Sequence, residues 1–204
     1  MEAKSLYLVI CEGSSEYAYI QELNRFLNER GHALVFNAVN AHGGGIDGIR
    51  RLCRDRRIRA NGRAFVMADG DIYADATGLN GRRYLKWRDR LPRFLFQYQN
   101  FEDFLLMHYP QTVLDAWRRE VEPKRHFVTP LVAREYEDVF RGFIRAHEDE
   151  LRFGDDYQKG DMPFSLDEGK LANLFANDSE TGFPRSDFAR FLRGEALSEA
   201  REVW

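Results

Sequence analysis

Short apolar runs alternate with helical patterns over the first 110 residues of this 204-residue chain. Each run is too short for a buried helix and is rich in the large apolar residues typical of a buried strand. Helical spacing of apolar residues follows each run. The predicted strands are 6–11, 33–39, 64–68 and 94–98, and the predicted helices begin near 17, 46, 79 and 101. Because strands that alternate with helices form right-handed crossovers, we predict an α/β fold with a mainly parallel four-stranded sheet flanked by helices.

The second half of the chain has a different pattern. Residues 111–204 contain no convincing strand, but a helix is predicted from Thr129 and Pro130 onward. Ser165 and Glu168 have the spacing of a capping box, which predicts a second helix over 166–176. A Gly- and Asp-containing loop is predicted at 153–164. We therefore predict an α/β core at 1–110 and a helical extension at 111–204 that packs on it.

Composition is that of an ordinary soluble protein, with 44% apolar and 31% charged residues. No run approaches the ~20 apolar residues of a membrane span, and no signal peptide is visible after Met1. Cys11 and Cys53 are predicted to be reduced thiols in a cytoplasmic protein. Charge is uneven: residues 1–100 hold 16 Lys and Arg against 11 Asp and Glu, so the acidic excess lies in the second half.

Acidic residues follow three of the predicted strands. Glu12 follows the first strand, Asp69 and Asp71 follow the third, and Glu102 lies shortly after the fourth. In parallel sheets, ligands bind outside the carboxyl ends of the strands. Since clustered carboxylates repel one another unless a cation neutralises them, this arrangement predicts a Mg²⁺ site. Glu12, Asp69 and Asp71 are the predicted ligands, and Glu16 or Glu102 would assist with a second ion.

Some of these acids have a simpler explanation. Carboxylates in the first turn of a helix are favoured by the helix dipole. This alternative applies to Glu16 about as well as the metal hypothesis does, and it is the better explanation of Asp75 and Asp103.

Three segments together resemble the TOPRIM domain, in particular its RloB-like branch near the nucleases of the OLD group. They are YLVICEGSSEYAYIQEL, FVMADGDIY and YQNFEDFLLMHY, and the resemblance covers about residues 5–110. The family shows an acid after the first strand, D-x-D after the third, and a Phe-Glu pair before a helix ending in His. Phe101, Glu102 and His108 match that last feature. Gly70 departs from the pattern, because many relatives have a larger or charged residue between the two acids.

The resemblance implies a Rossmann-like TOPRIM sheet and Mg²⁺- or Mn²⁺-dependent phosphodiester chemistry. A topoisomerase would need a gate for which this chain is too short, and two cysteines cannot build a primase zinc domain. The implied activity is therefore that of an endonuclease on DNA or RNA, in bacterial anti-phage defence beside an ATPase partner. Glu12, Asp69, Asp71 and Glu102 would be catalytic. Lys159, Lys170 or an arginine of the basic helices would supply the cation that stabilises developing charge.

Two basic segments are candidates for binding the nucleic-acid backbone, because arginine clusters grip phosphates. The candidate residues are Arg50, Arg54, Arg57, Arg82, Arg83 and Lys86. A solvated helix face, or pairing with the acidic half, explains them equally well. The loop 42–45 (HGGG) either approaches a phosphate or is only a flexible turn. His108 is expected to be a core residue.

Other functions remain open at this point. D-x-D at a strand end also binds Mn²⁺ and a nucleotide diphosphate in glycosyltransferases. A haloacid-dehalogenase phosphatase is disfavoured, because its D-x-D lies on the first strand and Tyr73 replaces the expected Thr or Val. The chain can also be an adaptor or regulatory subunit of an ATPase complex. Self-association into a homo-oligomer is compatible with the sequence.

Overall fold

The computed structural model describes residues 5–59, 61–74, 76–98, 100–121, 133–154, 157–178 and 184–196. Its centre is a five-stranded sheet of order β2-β1-β3-β4-β5. The strands are β1 (Ser5–Cys11), β2 (Leu34–Asn40), β3 (Ala64–Asp69), β4 (Arg93–Tyr98) and β5 (Arg185–Ser186). The first four strands are parallel to one another, which confirms the predicted α/β fold and mainly parallel sheet.

The prediction of four strands was wrong by one. β5 pairs antiparallel with the end of β4, where Ser186 lies opposite Gln97 and Arg185 opposite Tyr98. With only two residues, β5 has no hydrophobic alternation that could have identified it in the sequence.

Helices connect the strands and make up most of the second half. The helices between strands of the first half are α1 (Ser14–Glu29), α2 (Gly45–Leu52), α3 (Arg56–Arg59), α4 (Asp71–Ala74) and α5 (Leu79–Trp87). A 3₁₀ turn, Arg88–Arg90, extends α5. After β4 come α6 (Phe101–Leu106), α7 (Gln111–Val121), α8 (Ala133–Ala146), α9 (Glu148–Leu151), α10 (Glu168–Asn177) and α11 (Asp187–Phe191).

Three helix predictions need correction or restriction. The stretch predicted as one helix beginning near 46, which we expected to continue to Arg59, is two helices, since α2 ends at Leu52 and α3 begins at Arg56. Asp167, not Ser165, caps α10: its carboxylate accepts the Lys170 N–H at 2.7 Å. Thr129 and Pro130 lie outside the described residues, and α8 is described from Ala133. The segment 157–164 forms no helix or strand, as predicted for that loop.

Two apolar clusters cover the two faces of the sheet. Successive strand residues point to opposite faces, so Val9 packs with α1, α6, α10 and α11, while Ile10 packs with α2 and the aromatic residues near α5. Both side chains are fully buried. This two-sided burial explains why the strands are nearly continuous apolar runs.

A third apolar cluster surrounds Trp117 and Phe140, with contributions from α7, α8 and α9. Leu171 and Phe188, which also belong to the second half, pack instead against the sheet. Segments beyond residue 110 therefore contribute both to the core of the sheet and to a separate helical core.

Cys11 and Cys53 are buried free thiols, as predicted. Among the helices of the described ranges, none combines the length and the apolar character that a bilayer span requires.

Candidate active site

The parallel register brings the ends of β1, β3 and β4 to one edge of the sheet. Glu12 N–H donates to the Met67 carbonyl at 3.0 Å, so the residue after β1 lies beside the end of β3. Asp69 is the last residue of β3 and pairs with Gln97 of β4. The acids predicted to follow different strands are therefore neighbours in space.

A cleft of about 370 Å³ opens at this edge. Three carboxylates line it: Glu12, Glu16 and Asp69. Two loops form its other walls, one at His42 and Gly43 and one at Lys159 and Gly160. The remaining lining residues are Gly13, Ser14, Ser15 and Phe101. We call this feature the carboxylate cleft.

Glu12 is 8% exposed, and only one of its two carboxylate oxygens has a protein partner. The Tyr73 hydroxyl donates to Oε1 at 3.1 Å, whereas Oε2 is buried without any hydrogen bond. Burial, followed by the charge of Glu16, raises the pKa of Glu12 to about 8. A buried carboxylate with an unused oxygen is unfavourable by itself and points to a missing cationic or hydrogen-bonding partner.

Asp69 has the same defect, because its Oδ1 is buried and makes no hydrogen bond. Burial and the charges of Glu16 and Glu102 raise its pKa well above the usual range. Glu16 accepts the Gly13 N–H at 3.1 Å, so it also caps the start of α1. Burial raises the pKa of Glu16 to about 7. Glu16 therefore serves the helix start and lines the cleft at once.

Glu102 flanks the carboxylate cleft from the first turn of α6 and is 6% exposed. Its Oε1 lies 3.5 Å from the Lys159 ammonium, whose side chain is 57% exposed. Burial raises the pKa of Glu102, and the charge of Lys159 opposes that shift. Lys159 is thus the cation that the second half of the chain delivers to this edge of the sheet.

Asp71 begins α4, and it is not among the described residues that line the cleft. Its charge nevertheless contributes to the raised pKa of both Glu12 and Asp69, so it lies close to them. Gly70 between the two acids has a steric explanation. A Cβ at this position would lie 3.0 Å from the Gln97 carbonyl oxygen and 3.1 Å from the Tyr98 ring. The close approach of β4 therefore excludes the larger residue that the resemblance leads one to expect.

Within the described ranges, no group of three or more His, Cys, Asp or Glu side chains is arranged to hold a metal ion. Tyr73, the Gly13 N–H and Lys159 each engage one of the acids at this edge of the sheet. The chemistry of the site still fits a hard cation, because carboxylate oxygens are its preferred ligands. The unused oxygens of Glu12 and Asp69 are the atoms available to it.

The predicted basic residues fall into two groups. Arg50 and Arg83 both pair with Asp47, and Arg50 also stacks on the Trp87 ring at 3.9 Å. These contacts hold α2 against α5.

The second group is exposed. Arg57 is 91% exposed and pairs with Asp55 at 2.9 Å. Arg54, Arg82 and Lys86 are exposed on the same side of the sheet as α2 and α5.

We call the exposed residues Arg54, Arg82 and Lys86 the basic surface, and this surface adjoins the carboxylate cleft. A Cβ at Gly45 would lie 3.2 Å from Asn80, so the start of α5 contacts the loop 42–45. His42 and Gly43 of that loop line the cleft. The Gly43 N–H donates to the Glu12 carbonyl at 2.8 Å, which fixes the loop at the end of β1. The loop 42–45 is thus an anchored wall of the cleft.

Lys170 lies elsewhere. Its ammonium sits 3.1 Å from the centre of the Tyr109 ring, and it is not among the described residues that line the cleft. Burial lowers its pKa to about 8.

His108 is fully buried, as expected of a core residue. Its Nδ1 donates to the Phe104 carbonyl at 3.1 Å, and its Nε2 accepts the Tyr19 hydroxyl at 3.0 Å.

Asp103 has the structural role expected of it. One oxygen accepts the Trp117 indole N–H at 2.7 Å and the Tyr136 hydroxyl at 2.9 Å, and the other accepts the Asn100 N–H at 3.1 Å. We call these four residues the Asp103 cluster. Asp75 lies outside the described residues.

Tyr73 belongs to the site, although the sequence did not predict it there. It follows the second acid of D-x-D by two residues, and this spacing is the only signal in the sequence. Its ring packs with Tyr84, Phe94 and Phe96, which holds the hydroxyl against Glu12.

Comparison of the chain with family models, with curated proteins and with solved structures found no match.

Proposed function

We propose that this chain is a Mg²⁺-dependent nuclease that hydrolyses phosphodiester bonds of DNA or RNA in the carboxylate cleft. One observation carries the proposal. Glu12, Glu16 and Asp69 line a single cleft, and two buried oxygens among them lack any partner. A site built in this way favours a divalent cation over a neutral ligand.

Glu12 and Asp69 are the proposed metal ligands, with Asp71 and Glu16 as neighbours that add negative charge. A divalent ion held there would polarise the scissile phosphate and lower the pKa of a bound water. Tyr73 orients Glu12 by its hydrogen bond, as outer residues commonly orient the side chains that coordinate a metal ion. Lys159 supplies positive charge at the mouth of the cleft for the anionic substrate.

Nucleic acid is the proposed substrate because a basic surface adjoins the cleft. Arg54, Arg82 and Lys86 are exposed, and the start of α5 contacts the cleft wall at Gly45. Binding through these residues would weaken steeply with salt, since it releases counterions from the phosphate backbone. The resemblance to RloB-like proteins adds anti-phage defence beside an ATPase partner to the proposal.

The test is a cleavage assay on labelled single- and double-stranded DNA and RNA with Mg²⁺, Mn²⁺ or EDTA. Glu12→Gln and Asp69→Asn should each reduce the rate by about a thousandfold or more. Asp149→Asn, which makes the same change on the exposed surface of α9, should leave the rate unchanged.

The substrate part of the proposal is tested separately. Arg82→Gln should weaken binding to every nucleic-acid sequence and reduce the salt dependence by about one phosphate contact. If the wild-type chain binds Mn²⁺ without cleaving any of the four substrates, the adaptor hypothesis would replace the nuclease. Binding of a nucleotide sugar would favour the transferase.

A further inference from the structure

The loop around Lys159 is the unusual part of the cleft. It comes from the second half of the chain, yet it closes a site that the first half builds. Gly160, with a φ of 104°, packs against α1, because a Cβ there would lie 3.3 Å from the Ser14 Cβ. The backbone of this loop is therefore held close to the start of α1, while the Lys159 side chain stays 57% exposed.

Lys159 faces several carboxylates rather than one. Its nearest partner is Glu102, at 3.5 Å. The charges of Glu102, Asp69 and Glu16 raise its pKa against the opposing effect of burial. Among the described residues that line the cleft, Lys159 is the only lysine or arginine. One ammonium group thus provides the fixed positive charge for a group of buried acids.

A divalent ion and this ammonium would interact with the same carboxylates. Two cations within a few ångström repel each other, and each reduces the negative field that attracts the other. Such coupling is reciprocal. The free energy by which Lys159 weakens binding of the metal ion equals the free energy by which the bound metal ion weakens the pair between Lys159 and Glu102. The flexible four-carbon stem of lysine lets the ammonium move while the backbone stays in place.

We infer that Lys159 is a built-in counter-ion of the carboxylate cleft: it pairs with Glu102 until a divalent ion binds, and it is then released toward an anionic group of the substrate. This inference rests on the proposed function. It adds an order of events: the metal ion binds first and releases Lys159 from Glu102, and the Lys159 ammonium then pairs with the substrate phosphate. It also gives the acidic second half a role in the site, since that half carries the loop.

The experiment measures Mn²⁺ affinity by electron paramagnetic resonance and by calorimetry, without substrate. Lys159→Met should bind Mn²⁺ about tenfold more tightly than the wild type, because the competing charge is gone. Lys159→Arg keeps the charge and should stay within about threefold of the wild type. Arg145→Met removes one charge from the exposed surface of α8 and should change the affinity by less than about twofold.

Cleavage rates of the same variants supply the second measurement. Lys159→Met should cleave about a hundredfold more slowly at saturating Mn²⁺, although it binds the metal ion more tightly. A purely structural role of Lys159 would not produce these opposite changes. Because the Lys159 side chain is 57% exposed, its replacement should leave the fold intact, and a thermal melt of each variant checks this.

The outcomes separate the two proposals. Equal or weaker Mn²⁺ binding by Lys159→Met, in a chain that otherwise binds and cleaves, would overturn the counter-ion role alone. An unchanged cleavage rate would overturn the transfer of Lys159 to the substrate. Absence of Mn²⁺ binding by the wild type would overturn the proposed function together with this inference.

Discussion

Glu102 and Asp103 are consecutive residues of α6, and the two acids meet the cost of burial in opposite ways. Asp103 points into the helical half and receives three hydrogen bonds within the Asp103 cluster. Glu102 flanks the carboxylate cleft, where its described cationic partner is the half-exposed Lys159. Burying a carboxylate is tolerable when donors satisfy it and costly when they do not. The number of hydrogen-bond donors therefore distinguishes an acid that stabilises the fold from acids whose burial is only partly compensated.

The unsatisfied acids of the carboxylate cleft lower the stability of the fold. Glu12 and Asp69 each keep a buried oxygen without a partner, an arrangement that lowers the free energy of unfolding. Proteins accept such groups at functional sites, where binding supplies the missing interaction. Four experiments test this contrast.

Removal of the Asp103 carboxylate should have the largest effect on stability. Asp103→Ala removes the carboxylate that accepts from the Trp117 N–H and the Tyr136 hydroxyl, which costs about 3–5 kcal/mol. Urea unfolding measures the change. A loss below about 1 kcal/mol would show that the Asp103 cluster does not stabilise the fold.

Divalent ions should stabilise the cleft and not the Asp103 cluster. At a Mn²⁺ concentration a hundred times Kd, the gain is about 2.7 kcal/mol. At a fixed Mn²⁺ concentration the gain should increase from pH 6 to pH 8. The proposed ligand Glu12, with a pKa of about 8, must lose its proton to bind a cation, and the neighbouring Glu16, with a pKa of about 7, becomes more negative over the same range. Thermal melts at both pH values measure it. Asp69→Asn should abolish the gain, and an equal gain in that variant would contradict the proposed ligand set.

Glu12→Gln should stabilise the metal-free protein at pH 8. The folded-state pKa of about 8 is above the ordinary value, so Glu12 favours folding at low pH and loses that contribution as pH rises toward 8. Glutamine has no such dependence. We expect the variant to match the wild type near pH 5 and to be more stable by at least about 2 kcal/mol at pH 8. Melts in EDTA across this range would show a constant difference if the raised pKa were absent.

Glu102→Gln should have the smallest effect on stability. It removes a pair with a lysine that is 57% exposed, and it also removes one charge from a crowded group of acids. These effects oppose each other, so the free energy of unfolding should change by less than about 1 kcal/mol. A loss as large as that of Asp103→Ala would show that the two neighbouring acids serve the same structural purpose.

Local sequence patterns predicted much of the fold. The four long strands were recognisable because each is an apolar run buried on both faces of the sheet. β5 has no periodic signal in its two residues, and the capping-box spacing of Ser165 and Glu168 indicates the wrong cap for α10, which Asp167 provides. The basic residues had two explanations in the sequence. The structure gives Arg50 and Arg83 structural contacts and leaves Arg54 and Arg82 exposed.

Local sequence is enough to predict where each strand ends, and therefore that Glu12 and Asp69 share one edge of a parallel sheet. The reason is that hydrophobic periodicity is local, and the rule for strand ends in parallel sheets needs no further contacts. The partners of those acids depend on tertiary packing. Tyr73 reaches Glu12 across 61 positions of the chain, and Lys159 reaches the cleft while Lys170 covers an aromatic ring. These contacts depend on how distant segments of the chain pack, so the spacing of residues within a short stretch of sequence cannot predict them.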